Sequence, residues 1–147
     1  MLFPLTLLLS AAASVHAAPV KPILSRVQIQ RLQELMADHG HDSHVDPDLA
    51  KALGLTKDKE PVTYRQLTMS ENPQTTHSFQ EMPRGGGLIL AVAASDGLRA
   101  YRTNARQEVV AAVVEPSKPP AAIPLAVARK AVRAELAYWS AIADQVQ

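Results

Sequence analysis

The chain has no cysteine among its 147 residues. That excludes disulfide staples, a thiolate nucleophile, a lipid-modified N-terminal cysteine and every cysteine-based metal site. Aromatic residues make up only 4%, so the core has to be thin and built from small aliphatic side chains. Such a core suits close packing of helices on a sheet better than a large ligand cavity. Charge of one sign is lacking too: the formal net charge is +1, which gives no general pull toward nucleic acid or anionic lipid. No Gly-x-Ser-x-Gly elbow occurs, and Arg84-Gly85-Gly86-Gly87 lacks the Gly-Lys-Ser/Thr ending of a phosphate loop. The glycine run reads instead as a bend before a buried strand.

Also missing is any Lys, Arg, Asp or Glu before Lys21. The stretch from Leu2 to Ala13 is almost wholly apolar, and Ala11 to Ser14 are all small. Val15-His16-Ala17 then fits the small-residue rule for signal cleavage. Residues 1–17 are therefore expected to be a secretory signal peptide, and a cut after Ala17 leaves a mature chain starting at Ala18. The apolar core falls short of the roughly 20 residues needed to span a bilayer. An exported protein is expected, periplasmic or secreted, with no membrane attachment after cleavage. The remainder, residues 18–147, suits one domain held together by packing alone.

The first element has a legible start. Ser25 and Gln28 form a capping box, Leu24 and Ile29 sit at the staple positions, and Ile29, Leu32, Leu35 and Met36 keep helical spacing. Gly40 ends the run, so a helix is expected from Arg26 to about His39. A shorter one follows: Asp46 caps it, Pro47 takes its first position, and Gly54 with Leu55 closes it in a Schellman-type turn. From Pro61 the pattern changes to that of strands. Val62 to Met69, His77 to Met82, Leu88 to Ala94, Leu98 to Thr103 and Val109 to Val114 are the candidates. Asp96-Gly97 predicts a two-residue type I′ hairpin, which would set Val92 opposite Tyr101 and Ala93 opposite Ala100. Both sides of this meander are apolar. One carries Ala91, Ala93, Ala100 and Ala111, and invites close approach of a helix.

Residues 115–124 hold four of the eleven prolines and read as a stiff linker rather than a packed element. A long closing helix follows, from Leu125 to Val146. Leu125, Val132, Leu136, Trp139, Ala143 and Val146 fall on one stripe, which is expected to pack on the alanine-rich face of the meander. The predicted architecture is α+β: an antiparallel sheet of three to five strands, with the N-terminal and C-terminal helices packed on it.

The most concentrated chemistry lies at Asp38-His39-Gly40-His41-Asp42-Ser43-His44, where three of the five histidines fall within six residues. Imidazole and carboxylate are the usual ligands for zinc, nickel or copper when thiolates are absent. His39, His41 and His44 are thus the candidate metal ligands. The bland alternative is a polar loop that ends one helix and caps the next. His77 is a conceivable fourth ligand or a hydrolase base, but reads more simply as a polar residue at a strand edge. Arg129, Lys130 and Arg133 cluster near the start of the closing helix, where they oppose its dipole. They suit an acidic partner or a headgroup layer with Tyr138 and Trp139 as anchors, or else a solvated face. No catalytic motif emerges. The expected function is an exported non-catalytic binding or accessory protein whose partner is a protein. The alternative is a periplasmic or secreted metal-binding protein using the histidine loop.

Overall fold

The computed structural model describes residues 22–55, 62–72, 74–115 and 121–146. The expected signal peptide lies outside the described residues, and so do the charged stretch Lys57 to Glu60 and residues 116–120 of the proline-rich segment. The described chain is α+β. Its elements run α1 (Arg26–His39), β1 (His41–Val45), α2 (Pro47–Ala52), β2 (Val62–Asn72), β3 (Thr75–Glu81), β4 (Leu88–Ala94), β5 (Gly97–Thr103), β6 (Val109–Glu115), β7 (Ala121–Ala122) and α3 (Leu125–Gln145).

Local signals build both early helices as read. In α1 the Ser25 Oγ accepts from the Gln28 backbone N–H, and the Gln28 side chain accepts from the Ser25 N–H. The same Gln28 amide donates to Ser140 Oγ at 2.7 Å, tying the cap to α3. At the end of α2, Gly54 has φ 73°. Its N–H donates to Lys51 O, and the Leu55 N–H donates to Ala50 O, the paired bonds of a Schellman ending. Leu53 and Leu55 are thereby aimed at the sheet.

The seven strands form one antiparallel sheet in chain order, β1 to β7, and not the three to five expected. The five central strands are those that the apolar pattern marks. The two extra ones are the edges. β1 was expected to be a loop, and it has one buried side chain, Val45. It is a strand because the long β2 offers it a ladder, with His41 opposite Gln66 and Val45 opposite Val62. β7 emerges from the end of the proline-rich segment, where Ala121 and Ala122 pair with Val114 and Val113. The Ile123 N–H then donates to Ala112 O at 2.8 Å.

The central hairpin differs from the expected register by two residues. Leu90 lies opposite Tyr101, Ala91 opposite Ala100 and Ala94 opposite Gly97. The loop residues are therefore Ser95 and Asp96, both at negative φ, which rules out a type I′ turn. Gly97 still carries the unusual conformation, at φ 125°, but as the first residue of β5.

Strand alternation sorts the side chains into two layers. One face carries a cross-strand row of Leu67, Phe79, Leu90, Tyr101 and Ala112. Both α1 and α3 cover it, through Leu32, Met36, Val132, Leu136, Trp139 and Ala143. Burying each large side chain of this set contributes about 1.5–3 kcal/mol. The opposite face carries Ile89, Ala100 and Val113, with Leu53 over them and Leu49, Ala91 and Ala111 at the margin. The closing helix was expected on this alanine-rich face and instead lies on the other. Trp139 and Leu136 need the deeper relief that Phe79, Leu90 and Tyr101 provide, while the alanines admit the short α2. Two stripe positions also fall out of the core: Leu125 is 41% exposed, and Val146 lies past the helix end.

Candidate functional site

Two places carry chemistry. The first is buried. His77 and Phe79 share one face of β3, so the imidazole points into the core beside the Phe79 ring. It is 5% exposed, far from the strand-edge position expected of it. Glu135 on α3 lies one residue before Leu136 and is equally enclosed, at 7%. Its two carboxylate oxygens stand 2.9 and 3.0 Å from His77 Nδ1. Tyr138, one helical turn on, stacks on the imidazole face with centroids 3.9 Å apart. On the other side of the ring, Nε2 lies 3.1 Å from Glu71 Oε2, a carboxylate near the end of β2 that reaches into solvent.

Both ring nitrogens meet carboxylates, so both can donate at once only in the imidazolium form. Burial is the largest single influence on His77 and pulls its pKa down. The hydrogen bonds and charges of Glu135 and Glu71 together outweigh it, and the result lies above the usual histidine value. Burial pushes the Glu135 carboxyl up, against the downward pull of the imidazolium and with a smaller upward push from Glu71. The two directions agree physically: with two carboxylates and one imidazole, the fully ionised cluster is one negative charge in excess and holds its protons more tightly. Burial, followed by the Glu71 and Glu135 charges, also raises the Tyr138 hydroxyl. A general base needs a ring nitrogen free to face substrate, and here both are engaged. Among the described residues no hydroxyl is hydrogen-bonded to this imidazole, so the serine that a hydrolase would require is not beside it. The cluster pins α3 to β3.

The second place is open. Beside the first part of α3 lies a cavity of about 300 Å³. Ile23, Val109, Val132 and Leu136 give it an apolar floor, and Arg106, Arg129 and Arg133 stand around it. Arg129 and Arg133 are four residues apart on α3 and so are neighbours on one helix face. Arg106 comes from a second element, the β5–β6 turn. That turn is held by Asn104, whose Oδ1 accepts from the N–H groups of Arg106 and Glu108. Gln107 reaches across to Leu24 with two bonds, 2.9 Å from its N–H and 2.8 Å to its carbonyl, and thereby closes one end of the floor. Among the described residues none of the three arginines makes an ion pair. The one carboxylate in the lining, Glu108, accepts from Asn104 Nδ2 at 3.0 Å. Like charges at this spacing cost a helix about 0.2–0.5 kcal/mol, and a bound anion would relieve that.

The histidine cluster is spread out by the fold. His39 ends α1, whereas His41 and His44 lie on β1, where alternation sends them to opposite faces. Asp42 pairs with Arg65 at 3.6 Å, and the Arg65 guanidinium donates to the last carbonyls of α1, Met36 O and Ala37 O. Asp46 is engaged as the α2 cap. Among the described residues no group of three or more His, Asp or Glu side chains is arranged to hold a metal ion. Sequence reasoning missed Glu135 and Arg106. The first had a signal, a carboxylate set into an otherwise apolar helical stripe between Val132 and Trp139. Arg106 had none, since only the sheet brings its turn to α3. No described helix is long and apolar enough to cross a membrane. No protein-family model matches the chain, and no curated protein and no solved structure matches it either.

Proposed function

We propose that the protein is exported and works as a non-catalytic binding or accessory protein, meeting an anionic partner at the face where α3 begins. The observation that carries this reading is the set of three arginines around an apolar-floored cavity, none of them in an ion pair among the described residues. Unpaired like charges beside apolar surface lower the stability of an isolated chain, and complementary charge on a partner offsets that loss. The full engagement of His77 by two carboxylates supports the non-catalytic part. Export rests on residues 1–17 and a mature start at Ala18.

Recovery of a partner on the purified exported protein tests the reading. An acidic partner should be retained at low salt, released as salt screens the contact, and lost with Arg129→Gln/Arg133→Gln. Equal recovery on that variant would count against the arginine face. Zinc, nickel or copper co-purifying in stoichiometric amount, and lost on changing His41 and His44 to alanine, would favour the metal-binding alternative. An N-terminal sequence still starting at Met1 in the exported fraction would remove the signal peptide from the account.

A further inference from the structure

The cavity beside α3 has a shape and chemistry more specific than a charged face. We propose that it is a binding site for a small amphiphilic carboxylate, an organic acid with a short hydrocarbon tail. This rests on the binding-protein reading above and names its ligand.

Three features select that class. The lining is apolar: beside the buried Val109, Val132 and Leu136, the half-buried Ile23 and Val110, which is 45% exposed, offer surface from which a hydrocarbon tail displaces water that finds no bonding partner there. The arginines stand around the floor on two walls, Arg129 and Arg133 from α3 and Arg106 from the β5–β6 turn. A guanidinium presents a planar fork that matches a carboxylate bidentately, and one anionic head between the walls meets more than one fork. The volume, about 300 Å³, lies at the small end of the roughly 300–1,000 Å³ typical of ligand cavities. That admits a short tail and excludes a diacyl lipid. Among the described residues no aromatic side chain lines the cavity, so none of them stacks on a nucleobase. Glu108 at the margin adds a carboxylate, which leaves the lining with two net positive charges.

Calorimetric titration of the purified full chain with sodium octanoate tests the site, with acetate supplying the head without the tail and octan-1-ol the tail without the head. Octanoate should bind, octan-1-ol about tenfold more weakly or worse, the ratio that loss of one charge-assisted bond gives, and acetate about tenfold more weakly or worse because it has no tail to bury. Arg133→Gln should weaken octanoate by about tenfold. Val110→Asp should do so as well, because Val110 is 45% exposed at the cavity and the change adds repulsion without touching the core. Both variants should melt as the parent does. Inorganic phosphate binding as tightly as octanoate would overturn the proposal in favour of a plain anion site, and octan-1-ol binding as tightly would reduce it to an apolar cleft. Undiminished octanoate binding by Arg133→Gln would also overturn it. An acidic peptide that binds where octanoate does not would refute the small-ligand assignment and leave the binding-protein reading standing.

Discussion

The two faces of the sheet are covered in different ways. One lies under two long helices and, among the described residues, holds every large buried aromatic: Phe79, Tyr101 and Trp139. The Phe79 and Trp139 rings meet at 5.5 Å, tilted by 52°, and Tyr138 meets Trp139 edge-on at 5.3 Å. The buried His77–Glu135 pair belongs to the same face. The other carries alanines and a six-residue helix, with Leu53 as the one large fully buried side chain of its cluster. Area removed from water sets most of the gain on folding, so the helix-covered face supplies the bulk of the stability and the alanine face mainly shields the sheet from solvent. A chain this poor in aromatics concentrates them where they interlock.

The largest test of that asymmetry is Trp139→Ala. Removing a fully buried tryptophan should cost about 3–5 kcal/mol, a large share of the roughly 5–15 kcal/mol that holds a domain together. Denaturant melts would read it as a sharply lowered midpoint or as loss of folding. Near-normal stability would show that the two faces do not differ as described. Glu135→Ala comes next, at about 3 kcal/mol, because it strips the buried imidazole of its Nδ1 partner and leaves only the solvent-facing Glu71 to balance its charge. A Glu135→Ala, His77→Leu double variant should recover part of that loss, which a pair of unrelated packing defects would not do.

On the alanine face Leu53→Ala should cost about 2–3 kcal/mol, the low end for a buried leucine, since the short α2 can settle into the space. A loss matching that of Trp139→Ala would erase the contrast between faces. Smaller again is Gly97→Val, at about 1–3 kcal/mol. A β-branched residue resists φ 125°, and the hairpin turn serves both faces alike.

The smallest expected effect is pH dependence, confined to the helix-covered face. His77 sits above its ordinary value of 6.5, so its contribution is fully present below that pH and is lost as pH rises through the folded value. Glu135 sits above 4.5, so its ionisation in the folded protein is penalised, and stability again declines with rising pH. Melting temperature should therefore fall on going from mildly acidic to alkaline buffer. His77→Gln should flatten that slope, while Leu53→Ala should leave it intact.

How much of this was legible follows the range of the interactions involved. Ser25, Gln28, Asp46, Pro47 and Gly54 act within a few residues of themselves, and both helices they delimit could be read directly. The central strands showed in runs such as Leu88 to Ala94, because their apolar content is their own. β1 could not be seen that way: His-Asp-Ser-His carries no strand signal, and its conformation is borrowed from β2. The hairpin register escaped as well, because Asp96-Gly97 fits two loop alignments and only the packing of Leu90 beside Tyr101 and Phe79 chooses between them.

The chemistry divides along the same line. Local backbone preference and composition suffice to settle where helices begin and end, the five central strands and the exclusion of thiol chemistry. Tertiary structure alone decided which face of the sheet α3 covers, because both faces are apolar and only volume distinguishes them. It also decided that three neighbouring histidines diverge while His77 and Glu135, 58 residues apart, converge. Distance along the chain says little about distance in space once a seven-stranded meander has been laid down and a helix folded back across it.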